Sequence, residues 1–183
     1  MMELWIDKIP SALGTILLVT DGARLCALDY ADYEKRMMEL LQSRYGSFLL
    51  KKIHDPCGFS RRMRAYLHGE YLALDKIPVM TGGTPFQQRV WEALRAIPAG
   101  TVMTYGEMAA KLGKPHAFRA VGAANALNPL AIVIPCHRLV GANGSLTGYA
   151  GGLERKRWLL EHEGVDVVRL GCVSRNKASV ELL

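Results

Sequence analysis

Residues 81–85 read Thr-Gly-Gly-Thr-Pro, and this punctuation limits the possible fold more than any other feature of the chain. Paired glycines favour a turn, Thr84 can cap a helix, and Pro85 suits a first helical position. The patterns on its two sides differ. Before it, residues 15–20 are apolar and β-branched, Asp21-Gly22 signals a turn, and residues 25–30 read as a second strand, which predicts a hairpin. Residues 33–43 place Met37, Met38, Leu40 and Leu41 at helical spacing, and residues 59–68 predict a further helix stopped by Gly69. After it, Phe86, Val90, Trp91 and Leu94 form the apolar stripe of a helix running to about Ala96. Thr104 and Glu107 have capping-box spacing for a helix over 104–112, and an alanine-rich helix follows over 116–126. The expected class is α/β (α+β): a small sheet with helices over 1–84, a mainly helical domain over 85–170, and a tail over 171–183 without clear periodicity. The two helices around Gly113 suit a helix-turn-helix or an ordinary αα-hairpin, and pattern alone favours neither.

Composition narrows the class. Half of the 183 residues are hydrophobic and 22% are charged, as in globular rather than disordered chains. Residues 1–84 carry 11 basic and 10 acidic side chains, and residues 85–183 carry 12 and 7, so most of the positive excess lies in the second half. That favours a polyanionic partner there. Cys26, Cys57, Cys136 and Cys172 include no CxxC pair, which argues against a zinc ribbon or a thioredoxin-like motif. His54 and Cys57 lie close together, but two candidate ligands make a poor site, and no metal is expected. Few cysteines and a charged start without an apolar signal core point to a reducing cytoplasm. No apolar run approaches bilayer length, so no membrane association is expected.

The chemistry concentrates in residues 128–138, Asn-Pro-Leu-Ala-Ile-Val-Ile-Pro-Cys-His-Arg. The apolar, β-branched run predicts a buried strand or tight turn that delivers Cys136 beside His137 and Arg138. Two neighbouring cations favour thiolate, which is the nucleophilic form of cysteine. The other three cysteines have no such company and read as small buried hydrophobes.

Pro135-Cys136-His137-Arg138 and its surroundings resemble the O6-alkylguanine-DNA alkyltransferase family. The resemblance continues, in order, through Thr84-Pro85-Phe86-Gln87, Val90-Trp91, Ile97-Pro98-Ala99-Gly100, Tyr105-Gly106, Arg119-Ala120-Val121-Gly122, Asn128-Pro129, Thr147-Gly148-Tyr149-Ala150-Gly151-Gly152, Lys156, Trp158-Leu159-Leu160 and His162-Glu163-Gly164. Residues 1–80 match more loosely. The resemblance implies a two-domain protein with a helix-turn-helix of winged-helix-like type. It implies direct reversal of DNA damage: the alkyl group of O6-alkylguanine, and of O4-alkylthymine, passes irreversibly to Cys136, once per molecule and without a cofactor. By resemblance His137 activates the thiol through a water, Glu163 orients the histidine, Tyr105 lies beside the target nucleotide, and Asn128 holds the active-site turn. Arg119 is expected to enter the duplex where the base is flipped out, on a helix lying in the minor groove. Thr104, Ala117, Lys114 and Arg138 are expected at the DNA surface. Leu139, Tyr149 and Ala150 are expected around the substrate pocket. Ala150 stands where some members have serine, which implies a pocket roomy enough for groups larger than methyl. The partner implied is double-stranded DNA carrying alkylated bases, bound by a monomer that can also line up cooperatively. Two rival readings follow from the same residues: a damage sensor that only binds, and a cysteine hydrolase. The second is disfavoured because hydrolase Cys and His usually come from separated segments.

Overall fold

The computed structural model describes residues 1–170, so the expectations for the 171–183 tail and for Cys172 fall outside the described residues. Residues Met1–Thr84 together with Asn128–Ile134 form one compact unit; Pro85–Leu127 and the described residues 135–170 form a second.

The first unit holds a four-stranded sheet in the order β3-β2-β1-β4. The strands are β1 (Met2–Ile9), β2 (Ile16–Thr20), β3 (Leu25–Tyr30) and β4 (Phe48–Lys52). β1, β2 and β3 pair antiparallel, which includes the hairpin read from the sequence. Its turn is held by the Asp21 carboxylate, which accepts from the Ala23 and Arg24 N–H groups at 3.0 and 2.7 Å. β2 and β3 are buried at every position, as expected for strands covered on both faces. β4 runs parallel to β1, so the chain must cross over to reach it, and α1 (Glu34–Tyr45) makes that connection. Met37 and Leu41, one turn apart, pack on Leu4, Leu17, Val19 and Cys26. α2 (Phe59–Leu67) follows and buries Phe59, Met63 and Tyr66. β1 and β4 are not evident from the sequence: β1 places Glu3, Asp7 and Lys8 among its apolar residues, and β4 is a half-exposed edge strand.

The segment 128–134 departs from the expected boundary, because it belongs with the first unit. The reason is the open edge of β3, whose backbone groups need partners. Leu28 donates to the Pro129 carbonyl at 3.0 Å and accepts from Ala131 N at 2.9 Å. Arg36 on α1 adds a clamp, pairing with buried Asp29 at 2.7 Å and donating to the Asn128 carbonyl at 3.1 Å. Burial raises the Asp29 pKa, and Arg36 opposes that rise. Arg36→Ala therefore leaves buried Asp29 with the Tyr30 N–H but no counter-charge and removes a donor from the Asn128 carbonyl, and is expected to cost about 2 kcal/mol. A denaturation midpoint equal to that of the native protein would contradict the clamp.

The second unit is mainly helical: α3 (Pro85–Arg95), α4 (Tyr105–Lys111), α5 (Phe118–Ala126) and α6 (Leu153–His162). α3 buries Val90, Trp91 and Leu94, the stripe read from the sequence, and the Trp91 indole donates to the Ala124 carbonyl at 2.9 Å. The capping box forms as expected. Thr104 Oγ1 accepts from Glu107 N at 3.1 Å, and the Glu107 carboxylate accepts from Thr104 N at 2.7 Å. α4 and α5 pack together across the Gly113 turn, as in a helix-turn-helix. The sheet of this unit is β5 (Met103–Thr104) paired parallel with β6 (Leu139–Val140), so among the described residues there is no antiparallel wing.

Candidate active site

Cys136, His137 and Arg138 form a single 3₁₀ turn directly after Pro135, and all three are buried. The residues leading into it, 128–134, turn tightly. Ile132 adopts φ +70°, a left-handed conformation that is costly for a β-branched residue, on the order of 1–3 kcal/mol. Asn128 offsets that cost locally. Its Nδ2 donates to the Ile134 carbonyl at 2.8 Å, and its Oδ1 accepts from Leu130 N at 3.0 Å. Asn128 therefore closes the turn that precedes the cysteine, and both of these side-chain bonds remain within that turn.

α6 brings a second set of groups. Lys156, Leu159, Leu160 and Glu163 recur at helical spacing, and all four are buried. Glu163 caps the helix and is shared by two partners. Oε1 lies 3.0 Å from His137 Nε2 and 2.8 Å from Arg138 Nη2, while Oε2 accepts from Arg138 Nε at 2.9 Å. Burial pushes the Glu163 carboxyl up, but the His137 and Arg138 hydrogen bonds outweigh it and hold the pKa well below the usual range. For His137, burial dominates and lowers the pKa, with Glu163 pulling the other way. An ionised Glu163 beside a neutral histidine fixes the tautomer. Nε2 carries the proton and donates it to Glu163, so Nδ1 is left as the lone-pair nitrogen. Nδ1 is buried and has no hydrogen-bond partner in the protein. It is placed to act as a base.

The expectation that Arg138 meets DNA is corrected. Its guanidinium is turned inward, doubly bonded to Glu163 and donating to the Ile97 carbonyl. A guanidinium fork matches a carboxylate in the same way that it matches a phosphate, and here the internal carboxylate takes it. Leu139 is corrected as well. Its side chain is fully buried in β6, and it is not among the residues that line the pocket described below.

Among the described residues Lys156 has no carboxylate partner. Its Nζ donates to the carbonyls of Leu139 and Thr147, the latter at 2.6 Å. Burial lowers its pKa to about 8, and the charge of Cys136 is the one influence that raises it. The attraction is mutual, so Lys156 favours the thiolate. The sequence carried a signal for this residue, a lysine and a glutamate seven residues apart on the apolar face of one helix.

Tyr105, at the start of α4, connects the nucleophile turn with the 147–150 loop. Its hydroxyl donates to the Gly148 and Thr147 carbonyls at 3.1 and 3.3 Å. Gly148 has φ +57°, and a Cβ there would stand 3.0 Å from the Tyr105 hydroxyl, so the loop approaches this closely only as glycine. Burial raises the Tyr105 pKa, the charge of Cys136 adds to that rise, and a hydrogen bond from Asn125 opposes it. Asn125, near the end of α5, was not singled out from the sequence. It also donates to the Cys136 carbonyl at 3.4 Å.

A pocket of about 780 Å³ opens beside these groups, lined by Tyr105, Phe118, Gly122, Thr147, Tyr149 and Ala150 among others. Of the residues expected at DNA, Arg119 and Lys114 are exposed. The Arg119 guanidinium lies 5.9 Å from the Phe118 ring, and the Lys114 ammonium 5.5 Å from the Phe86 ring. Ala117 is half-buried at the start of α5, and the Thr104 hydroxyl is engaged in its cap. No group of three or more potential metal ligands occurs among the described residues.

The chain has clear relatives. Residues 85–165 match the family model for the 6-O-methylguanine DNA methyltransferase, DNA binding domain. A methylated-DNA–protein-cysteine methyltransferase of Shigella flexneri is 48% identical over 167 residues, which cover 90% of this chain and 98% of that protein. A crystal structure of Mycobacterium tuberculosis O6-methylguanine methyltransferase is 38% identical, with a TM-score of 0.72 over 87% of this chain and 92% of that one. The same Mycobacterium protein in complex with DNA has a TM-score of 0.72 over 87% of this chain and 93% of that one. Relatives this similar over nearly their whole length decide the matter: the chain belongs to the methylated-DNA–protein-cysteine methyltransferase family.

Proposed function

We infer that this protein repairs alkylated duplex DNA by direct reversal, moving the alkyl group from O6-alkylguanine, and from O4-alkylthymine, to Cys136. The observation that carries the reading is the buried His137–Glu163 pair in the same turn as buried Cys136, with the histidine held by its Nε2 and left open at Nδ1. Cys136 gives up its thiol proton, relayed by a water, to His137 Nδ1, and Glu163 stabilises the imidazolium that forms. Lys156 stabilises the thiolate. The sulfur attacks the alkyl carbon, the carbon–oxygen bond breaks, and the base leaves. The thioether has no easy return, so each molecule acts once. Apart from that water, every group that moves a proton here belongs to the protein, and the reaction calls for no cofactor.

Cys136 is only 5% exposed, so a base stacked in a duplex cannot reach it and must be flipped out. Exposed Arg119 on α5 is suited to fill the gap, and Lys114 to meet phosphate. Action on DNA with reduced thiols fits the cytoplasm, and no described helix is long and apolar enough to cross a membrane.

Duplex DNA holding one O6-methylguanine tests the reading. Repaired guanine is expected to rise to one equivalent per protein and stop. Continued turnover, or no repair, would overturn it. The same assay with longer O6-alkyl chains tests the pocket. With alanine at 150, each added methylene is expected to change the rate less than about tenfold. Sharp rejection of ethyl would contradict a roomy pocket.

A further inference from the structure

Phe118 opens α5 but does little to hold it in place. A phenyl ring stabilises a fold by leaving water, yet 47% of Phe118 stays exposed. The residues that anchor α5 are Val121, Ala124 and Asn125, which are buried. Phe118 nevertheless lines the pocket beside the nucleophile turn. A lining residue half open to solvent stands at the mouth of a pocket, not on its floor. Phe118, Gly122 and Ala126 lie one turn apart on one side of α5, and all three line the pocket. Glycine and alanine leave space along that side, so the phenyl ring is the one large group that α5 gives to the cavity. Arg119 follows, about 100° further round the helix. Its guanidinium lies 5.9 Å from the centre of the Phe118 ring, within range of a cation–π attraction.

We propose that Phe118 is a substrate-binding residue whose ring stacks on the extruded base at the mouth of the pocket, while Arg119 beside it occupies the gap in the duplex. The proposal rests on the alkyl-transfer reading above. A base that leaves the duplex loses the neighbours stacked above and below it. An aromatic face at the pocket mouth replaces one of them. The contact forms no bond and moves no proton; it lowers the free energy of the extruded state relative to the stacked one. Every nucleobase has a π face, and alkylation at O6 or O4 leaves that face in place, so the contact serves guanine and thymine lesions alike. The attraction between the ring and the guanidinium ties the two events together. The group that receives the base and the group that fills its place are neighbours on the first turn of one helix.

The test compares the native protein with Phe118→Ala, Phe118→Leu and Phe118→Tyr. All three are expected to melt within about 4 °C of the native protein, because the ring is only half buried. Affinity for an undamaged duplex is expected to change less than about twofold, because the ring meets no phosphate. With a duplex holding one O6-methylguanine, below saturation, Phe118→Ala is expected to transfer methyl roughly tenfold more slowly. Phe118→Leu restores bulk without a π face and is expected to recover only a small part of that loss. Phe118→Tyr keeps the face and is expected to recover most of it. A loss of similar size is expected on a single-stranded oligonucleotide holding the same lesion, because stacking needs the base and not the duplex. Native transfer by Phe118→Ala would overturn the proposal. So would Phe118→Leu as fast as Phe118→Tyr, which would mark bulk alone, or a loss confined to the duplex, which would mark a wedge that parts the strands. Failure of the native protein itself to transfer methyl would instead overturn the underlying reading.

Discussion

Cys136→Ala is expected to abolish alkyl transfer completely while leaving the fold and DNA binding in place. The thiolate is the strong nucleophile of the site, and alanine offers none. Loss of one buried sulfur costs about 1 kcal/mol, too little to unfold a chain of this size. Arg119 and Lys114, the proposed DNA contacts, are exposed and distinct from the buried turn, so the substitution leaves them untouched. The checks are the methylation state of the DNA after incubation and a binding titration with the same duplex. A variant that still removes the methyl group would place the acceptor elsewhere. A variant that supports the native level of repair in cells would favour a protein that only marks damage.

Glu163→Gln is expected to damage both chemistry and stability. The carboxylate holds His137 Nε2 and both ends of the Arg138 fork, and glutamine can accept with only one oxygen. It also removes the charge that neutralises Arg138, and breaking a buried pair in this way is expected to cost about 3 kcal/mol. Transfer is expected to slow on the order of 100-fold, because the imidazolium loses its counter-charge. The pH dependence has a definite sign. The Glu163 pKa is lowered in the folded protein from its ordinary value of 4.5, so its contribution is fully present above that value and is lost as pH falls below it. The stability gap between native protein and Glu163→Gln therefore narrows below about pH 4.5. His137, also lowered by burial, takes its proton in more acidic solution than an ordinary histidine. Native transfer is thus expected to rise as pH falls through about 8, where Lys156 gains its proton, and to decline only in solution more acidic than the ordinary histidine midpoint. A rate that fell with the ordinary histidine midpoint would contradict the buried, neutral His137.

Much of this was legible because local chemistry dictated it. The Asp21-Gly22 turn, the α1 and α3 stripes and the Thr104–Glu107 box depend on residues a few positions apart, and all appear as read. The motif also placed Cys136, His137 and Glu163 together, although 26 residues separate the last two. What escaped depended on distant partners. Nothing near Arg138 reveals that Glu163 and the Ile97 carbonyl will claim its guanidinium. Likewise, nothing in residues 129–131 says that the open edge of β3 will take them into the first unit. β1 was obscured by its charged residues, one of which, Asp7, is buried and accepts from Ser60 Oγ at 2.6 Å. Asn125 and Lys156 acquire their meaning only when Tyr105, the 147–150 loop and Cys136 surround them.

The central claim is that Cys136 becomes the permanent carrier of the alkyl group. Intact mass, followed by peptide mapping after reaction with duplex DNA holding a single O6-methylguanine, tests it most directly. The account predicts a gain of one methyl group per protein, located on Cys136, with the DNA restored to guanine. A methyl group on another residue, or an unmodified protein still bound to intact lesion, would contradict it.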